Sequence, residues 1–194
     1  MERELLLTGI GGQGIQLAAQ VIARAALAEG RAVQMFGSYG GMMRGGRTDA
    51  TVVVADATIE APPTIGDAWS AIVMHQAHAD PILQAIRPGG IVLAGTEAHG
   101  LSFDRTRYTV LEVAAFDIAE SVGNRMAASM VMAGAYAAAT ELVGLGSLSA
   151  AVVDSLPPYR RQLAEVNVAA LRAGFESTPR NVASAWASDR ERVR

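Results

Sequence analysis

The chain reads as an α/β protein, a Rossmann-like three-layer sheet with largely parallel strands and Ala-rich C-terminal helices. Three observations predict this. Leu5-Leu6-Leu7 leads into Gly9-Ile10-Gly11-Gly12-Gln13-Gly14, which opens the Ala-rich stretch Ile15 to Glu29, so a strand, a tight turn and a helix N-terminus follow one another. Short apolar runs bounded by Gly, Pro and Asp then recur along the chain, as buried strands of a parallel sheet do. The last third instead carries long Ala-rich stretches that need a surface to cover.

Taken in order, the strands after the first unit are expected at Ala32 to Phe36, Thr51 to Ala55, Ala71 to Met74, Ile91 to Ala94 and Tyr108 to Leu111. Asp80 to Ile86 reads as a short helix whose Pro81 suits the first turn, because proline lacks only an amide that would be unbonded there. Pro88-Gly89-Gly90 is expected to turn the chain into the next strand. Helices follow at Ala114 to Ser121, Met126 to Leu142, Ser149 to Ser155 and Tyr159 to Gly174, separated by Gly123-Asn124, Gly144-Leu145-Gly146 and Pro157-Pro158. One domain, residues 1–176, is expected, with a polar tail over 177–194 that runs over the surface or a partner.

Gly9, Gly11 and Gly14 fit the spacing of a dinucleotide fingerprint, in which glycines permit the turn, the close approach of a phosphate, and tight helix-strand packing. The usual acid is missing. The second apolar run ends in Phe36-Gly37-Ser38-Tyr39-Gly40, with no Asp or Glu to take a ribose hydroxyl. The loop therefore either packs tightly or holds a phosphate on exposed amides.

Composition removes other chemistries. The chain has no cysteine, so it cannot hold an iron-sulfur cluster by thiolates, use a thiol nucleophile or form a disulfide. All 16 basic residues are arginine, which excludes a lysine Schiff base and a Walker-type lysine. A net charge of -3 with scattered arginines gives no reason to bind nucleic acid or an anionic membrane. Met126 to Thr140 is uncharged but falls short of the roughly 20 residues that cross a bilayer. With an acidic start at Met1-Glu2-Arg3-Glu4 and no targeting pattern, a cytoplasmic location is expected.

The glycine loop, then Ser38-Tyr39-Gly40, Met43-Arg44-Gly45-Gly46, Gly123-Asn124 and the closing Asn167 to Phe175, resemble in order the gamma subunit or gamma domain of the 2-oxoacid:acceptor (ferredoxin) oxidoreductases. The resemblance covers about residues 5 to 176 and is nearer the pyruvate, branched-chain and 2-oxoglutarate type than the indolepyruvate type. Gly41-Met42 departs from the Pro-Glu that many members carry there, which removes a carboxylate. The resemblance implies a component of a hetero-oligomer, not a catalyst by itself. Alpha and beta subunits of such a complex hold thiamine diphosphate and magnesium. Iron-sulfur clusters lie in beta or in a cluster-bearing, ferredoxin-like subunit, and coenzyme A usually takes the acyl group. On this chain the resemblance marks Gly9, Gly11, Gly12, Gln13, Gly14, Ser38, Tyr39, Arg44, Gly45, Gly46 and Asn124 as cofactor-facing.

The same residues have plainer readings. Arg44 can face solvent or reach a phosphate, a carboxylate or a neighbouring subunit, and the four glycines from Ser38 to Gly46 suit a functional connection. Arg47 and Asp49 read as solvated or paired with each other, and Asn124 first of all as an N-cap. His75 and His78 lie at a strand end with only Asp80 nearby, a poor metal set, and Ser38 is not placed as in a nucleophile elbow. Met126, Met130 and Met132 read as packing or interface residues. Two alternatives stand beside the gamma-subunit reading: a self-contained NAD(P)- or flavin-binding oxidoreductase, and an anion-binding protein without redox chemistry.

Overall fold

A computed structural model describes residues 1–39, 46–60 and 66–186, with backbone alone at Ser38 and Tyr39. Among these residues six strands form one sheet: β1 (Glu2–Ile10), β2 (Ala32–Tyr39), β3 (Arg47–Ala55), β4 (Ala68–Val73), β5 (Ile86–Gly95) and β6 (Thr109–Val113). Their spatial order is β2-β3-β1-β4-β5-β6. β1, β4, β5 and β6 pair in parallel, whereas β3 runs antiparallel to both β1 and β2, so β3 alone opposes the common direction. The sheet is largely parallel, as expected.

Leu5, Leu6 and Leu7 explain why β1 lies centrally. Strand side chains alternate between faces, and all three are buried because both faces are covered. Leu5 and Leu7 enter the larger core with α1 (Ile15–Ala28), α3 (Ala115–Ser121), α4 (Ala128–Thr140), α5 (Leu145–Ser155) and α6 (Ala164–Glu176). Leu6 joins a smaller core on the opposite face with Ile82 and Leu83 of α2 (Asp80–Gln84), together with Val92 and Tyr108.

Several element ends differ from the sequence reading, with β3 beginning at Arg47, β4 at Ala68 and α5 at Leu145, inside the break expected at Gly144-Leu145-Gly146. Two of the differences change a segment's role. β2 continues through Ser38 and Tyr39, which pair with Asp49 and Thr48, because only a short connection separates it from β3 and the two strands form an antiparallel hairpin. Pro88-Gly89-Gly90 lies inside β5. Ala68 pairs with Ile86 but Ser70 pairs with Ile91, so these glycines bulge out of a strand already begun.

α4 is apolar all round and every one of its residues is buried. It crosses α6 at a pair of glycines, Gly134 and Gly174, with each Cα facing the other helix's backbone. Its Tyr136 hydroxyl lies 2.9 Å from Ser70 Oγ, and burial pushes the tyrosine pKa upward. Its last turn meets the chain beyond α6. The amides of Asn181, Ala183 and Ala185 donate to the carbonyls of Ala138, Ala139 and Thr140, groups a helix end cannot satisfy internally. Trp186 Nε1 donates to the Leu142 carbonyl, and Arg31 lies 3.9 Å over the Trp186 ring. The described part of the tail therefore packs on this chain's own helices.

Candidate functional site

The glycine loop joins the carboxyl end of β1 to the N-terminus of α1. Gly12 and Gly14 have φ of 103° and 79°, a region that favours glycine, so the turn needs both. Among the described residues nothing lies within 4 Å of where a Gly12 Cβ would stand, and the positive φ alone already demands glycine there. At Gly14 both demands coincide, since a Cβ would meet Ser129 Oγ of α4 at 2.4 Å. The helix-packing glycine of the fingerprint thus packs on another helix as well.

Some loop amides are already engaged. Gly11 N–H donates to the Gly46 carbonyl at 2.8 Å and Gln13 N–H to the Ile10 carbonyl at 3.1 Å. Neither the Gly12 nor the Gly14 amide meets an acceptor among the described residues. No side chain caps α1, and its first-turn amides face the same end. The Gly11–Gly46 bond also brings two sequence motifs together, because Gly46 leads directly into β3. Arg44 and Gly45 lie outside the described residues.

Beside the loop is a cleft of about 310 Å³, lined among others by Gly11, Gly12, Gln16, Gly46, Arg47 and Arg160. Arg160 comes from the 3₁₀ turn Pro158–Leu163 that precedes α6. It makes no ion pair among the described residues and stacks 5.6 Å from the Tyr159 ring. Arg47, by contrast, is neutralised: its Nε lies 2.5 Å from Asp49 Oδ2, the pairing the sequence suggested. Asp49 also accepts from Thr8 Oγ1 at 2.8 Å, and its carbonyl accepts from Gln16 Nε2 at 2.5 Å. An acid therefore does stand near the loop, supplied by β3 and not β2, but its oxygens serve Arg47 and Thr8.

Asn124 caps the 3₁₀ turn Arg125–Ala127, its Oδ1 accepting from the Met126 amide at 3.1 Å, and it does not line the cleft. His75 is a cap too, with Nδ1 accepting from Ala77 N–H. Among the described residues no three of His, Cys, Asp and Glu gather as metal ligands. A larger cleft, about 470 Å³, opens at the ends of β5 and β6, but Arg105 there is paired with Glu112 at 2.5 Å. The smaller cleft combines amides and a cation that have no partner among the described residues, the arrangement that suits an anion.

Arg160 and Gln16 escaped the sequence reading, and Asp49 entered it only as a partner for Arg47. Only the fold brings Arg160 to the loop, whereas the apolar alternation around Thr48 to Val54 could have extended β3 to Asp49.

The pyruvate ferredoxin/flavodoxin oxidoreductase family matches residues 4–177 of this chain. The 2-oxoglutarate synthase subunit KorC of Methanocaldococcus jannaschii is 32% identical over 181 residues, covering 91% of this chain and 94% of that protein. The ketoisovalerate oxidoreductase subunit VorA of Methanothermobacter thermautotrophicus is 27% identical over 182 residues, which are 93% of this chain but 37% of that one. Among solved structures, the gamma subunit of a keto/oxoacid ferredoxin oxidoreductase from Geobacter sulfurreducens superposes with a TM-score of 0.77 at 25% identity, covering 91% of this chain and 95% of that one. With that fold, that glycine loop and a match over most of its length, the chain belongs to the pyruvate ferredoxin/flavodoxin oxidoreductase family, as a gamma-type subunit of a 2-oxoacid:acceptor oxidoreductase.

Proposed function

We propose that this chain joins alpha and beta subunits that hold thiamine diphosphate and magnesium, together with a cluster-bearing subunit or ferredoxin. In that complex it contributes assembly surface and an anion cleft for coenzyme A. The cleft carries the reading: the Gly12 and Gly14 amides and Arg160, which have no partner among the described residues, line it together beside the glycine loop.

The implied groups divide by fit. With no cysteine, the chain offers no thiolate to an iron-sulfur cluster, and its described residues offer no metal-ligand group for a thiamine-bound magnesium. Those groups do not fit this chain's own residues. The phosphates of coenzyme A do fit, with Gly12, Gly14 and the first turn of α1 as amide donors and Arg160 as the directed cation. Coenzyme A supplies the thiol that takes the acyl group. This chain's part is to bind and orient its anionic end; Ser38, Tyr39, Arg44, Gly45 and Asn124 remain as further contacts to coenzyme A or to a neighbouring subunit.

Partner surface is supported by Met126 and Tyr159, large apolar side chains that are 66% and 72% exposed. VorA supports the hetero-oligomer, because there the matching region is one part of a longer chain. A cytoplasmic location belongs to the same proposal; separately, no helix among the described residues is long and apolar enough to cross a membrane.

Kinetics of the reconstituted complex test the cleft. Arg160→Ala should raise the KM for coenzyme A by about tenfold, the equivalent of one lost contact near 1.4 kcal/mol, with kcat and the KM for the 2-oxoacid unchanged. An unchanged coenzyme A KM would refute the anion role. A loss of subunit stoichiometry would instead assign Arg160 to an interface.

A further inference from the structure

In an open doubly wound sheet, dinucleotides lie in the crevice where the strand order reverses, beyond the carboxyl ends of the strands. Here that point lies between β1 and β4. The chain leaves β1 through α1 for β2 on one side, while β4 and β5 continue on the other. Gln13 spans the gap. Its Oε1 accepts from the Ile10 amide at the end of β1 at 2.9 Å, and its Nε2 donates to the Met74 carbonyl just past β4 at 3.2 Å. Gly9 makes the room, since a Cβ there would stand 2.5 Å from Gln13 Oε1. The anion cleft lies on the opposite flank, toward β3, and neither Gln13 nor Met74 lines it.

We infer that Gln13 is a specificity-determining residue that closes the dinucleotide crevice with the protein's own amide, so that ligands reach the glycine loop only from the β3 flank. A nicotinamide dinucleotide entering on the β4 side must expel this side chain. It then has to replace a donor and an acceptor at once, or leave the Ile10 N–H and the Met74 carbonyl unsatisfied. The closure is independent of the missing ribose acid, and it does not depend on what the β3 flank binds.

The test uses the full chain, with NAD as the probe and nuclear magnetic resonance as the readout. In the parent chain the Ile10 amide should be protected from hydrogen exchange, and millimolar NAD should leave Met74 and His75 unshifted. Gln13→Ala should deprotect Ile10 while Leu7 stays protected, and should tighten NAD binding by at least about tenfold, with shifts at Met74 and His75. Gly9→Ala opens the crevice by another route, because the new methyl displaces the Gln13 amide and also presses on Ile15 of α1, and it serves if Gln13→Ala does not fold. Coenzyme A binding is followed in the same samples. Its failure would count against the anion cleft while leaving this inference standing. NAD shifts at Met74 and His75 in the parent chain would overturn the closure, as would a folded Gln13→Ala or Gly9→Ala chain with no gain in NAD binding.

Discussion

Replacing Gly134 with alanine isolates what holds the helical layer together. A Cβ at Gly134 would stand 1.9 Å from the Leu171 carbonyl oxygen and 3.0 Å from the Phe175 amide nitrogen; one at Gly174 would stand 2.0 Å from the Val131 carbonyl oxygen. Non-bonded heavy atoms settle near 3.5 Å, so the two axes must part by roughly 1.5 Å. Both obstacles are backbone, and no rotamer change relieves them. Overpacking of this kind costs about 1–3 kcal/mol or more, and alanine returns roughly 1 kcal/mol through its better helix propensity. With both obstacles in backbone the cost falls at the upper end of that range, and a net loss of about 2 kcal/mol should lower the melting temperature by about 4–8 °C in a chain of this size. Gly146, near the start of α5, is the control, because nothing among the described residues lies within 4 Å of its missing Cβ. There alanine should be neutral or stabilising by about 0.5 kcal/mol. Thermal melting of the two variants by circular dichroism decides the matter. A Gly134→Ala chain that melts with the parent, or a Gly146→Ala chain that falls equally, would refute the close-crossing argument.

Two further outcomes follow from polar groups. Tyr136 titrates near 10 when unfolded but higher when folded, so above about pH 10 the unfolded state has lost a proton the folded state keeps, and stability should fall with rising pH. Tyr136→Phe should flatten that part of a urea-midpoint profile, and an unchanged slope would exclude Tyr136 as its source. Asn124→Ala removes the acceptor of the Met126 amide and should cost about 1 kcal/mol in chemical denaturation; no loss would mean the cap is replaced by water.

Much of the fold was legible because strand burial writes itself into composition. Val52-Val53-Val54 and Ile91 to Ala94 are apolar without alternation, as strands covered on both faces must be. The β2–β3 hairpin was less so, since Phe36-Gly37-Ser38-Tyr39 looks like a loop until Asp49 and Thr48 are seen pairing with its end. The glycine loop announced its own backbone, but not the partners of its side chains. Gln13 reaches Met74, Gly14 touches Ser129, and Arg160 enters from a turn before the last helix. Such contacts depend on where the folded layers set distant segments, which no local pattern of residues encodes. The 3₁₀ turns before α4 and α6 are a smaller instance, because no residue there marks where the tighter turn gives way to α-helix.

The segment beyond α6 separates two units that are easily confused, the one that descent preserves and the one that folds. The family match closes at residue 177, yet three amides at Asn181, Ala183 and Ala185 terminate α4, and Ala185 also accepts from Arg3 Nε at 2.5 Å. Cutting the chain after Ser177 would leave a fully buried helix with bare carbonyls at one end and strand β1 without its Arg3 contact. Proteolysis there would therefore act on the centre of the protein and not on its edge. A boundary drawn by homology alone would sever the last hydrogen bonds of its most enclosed helix.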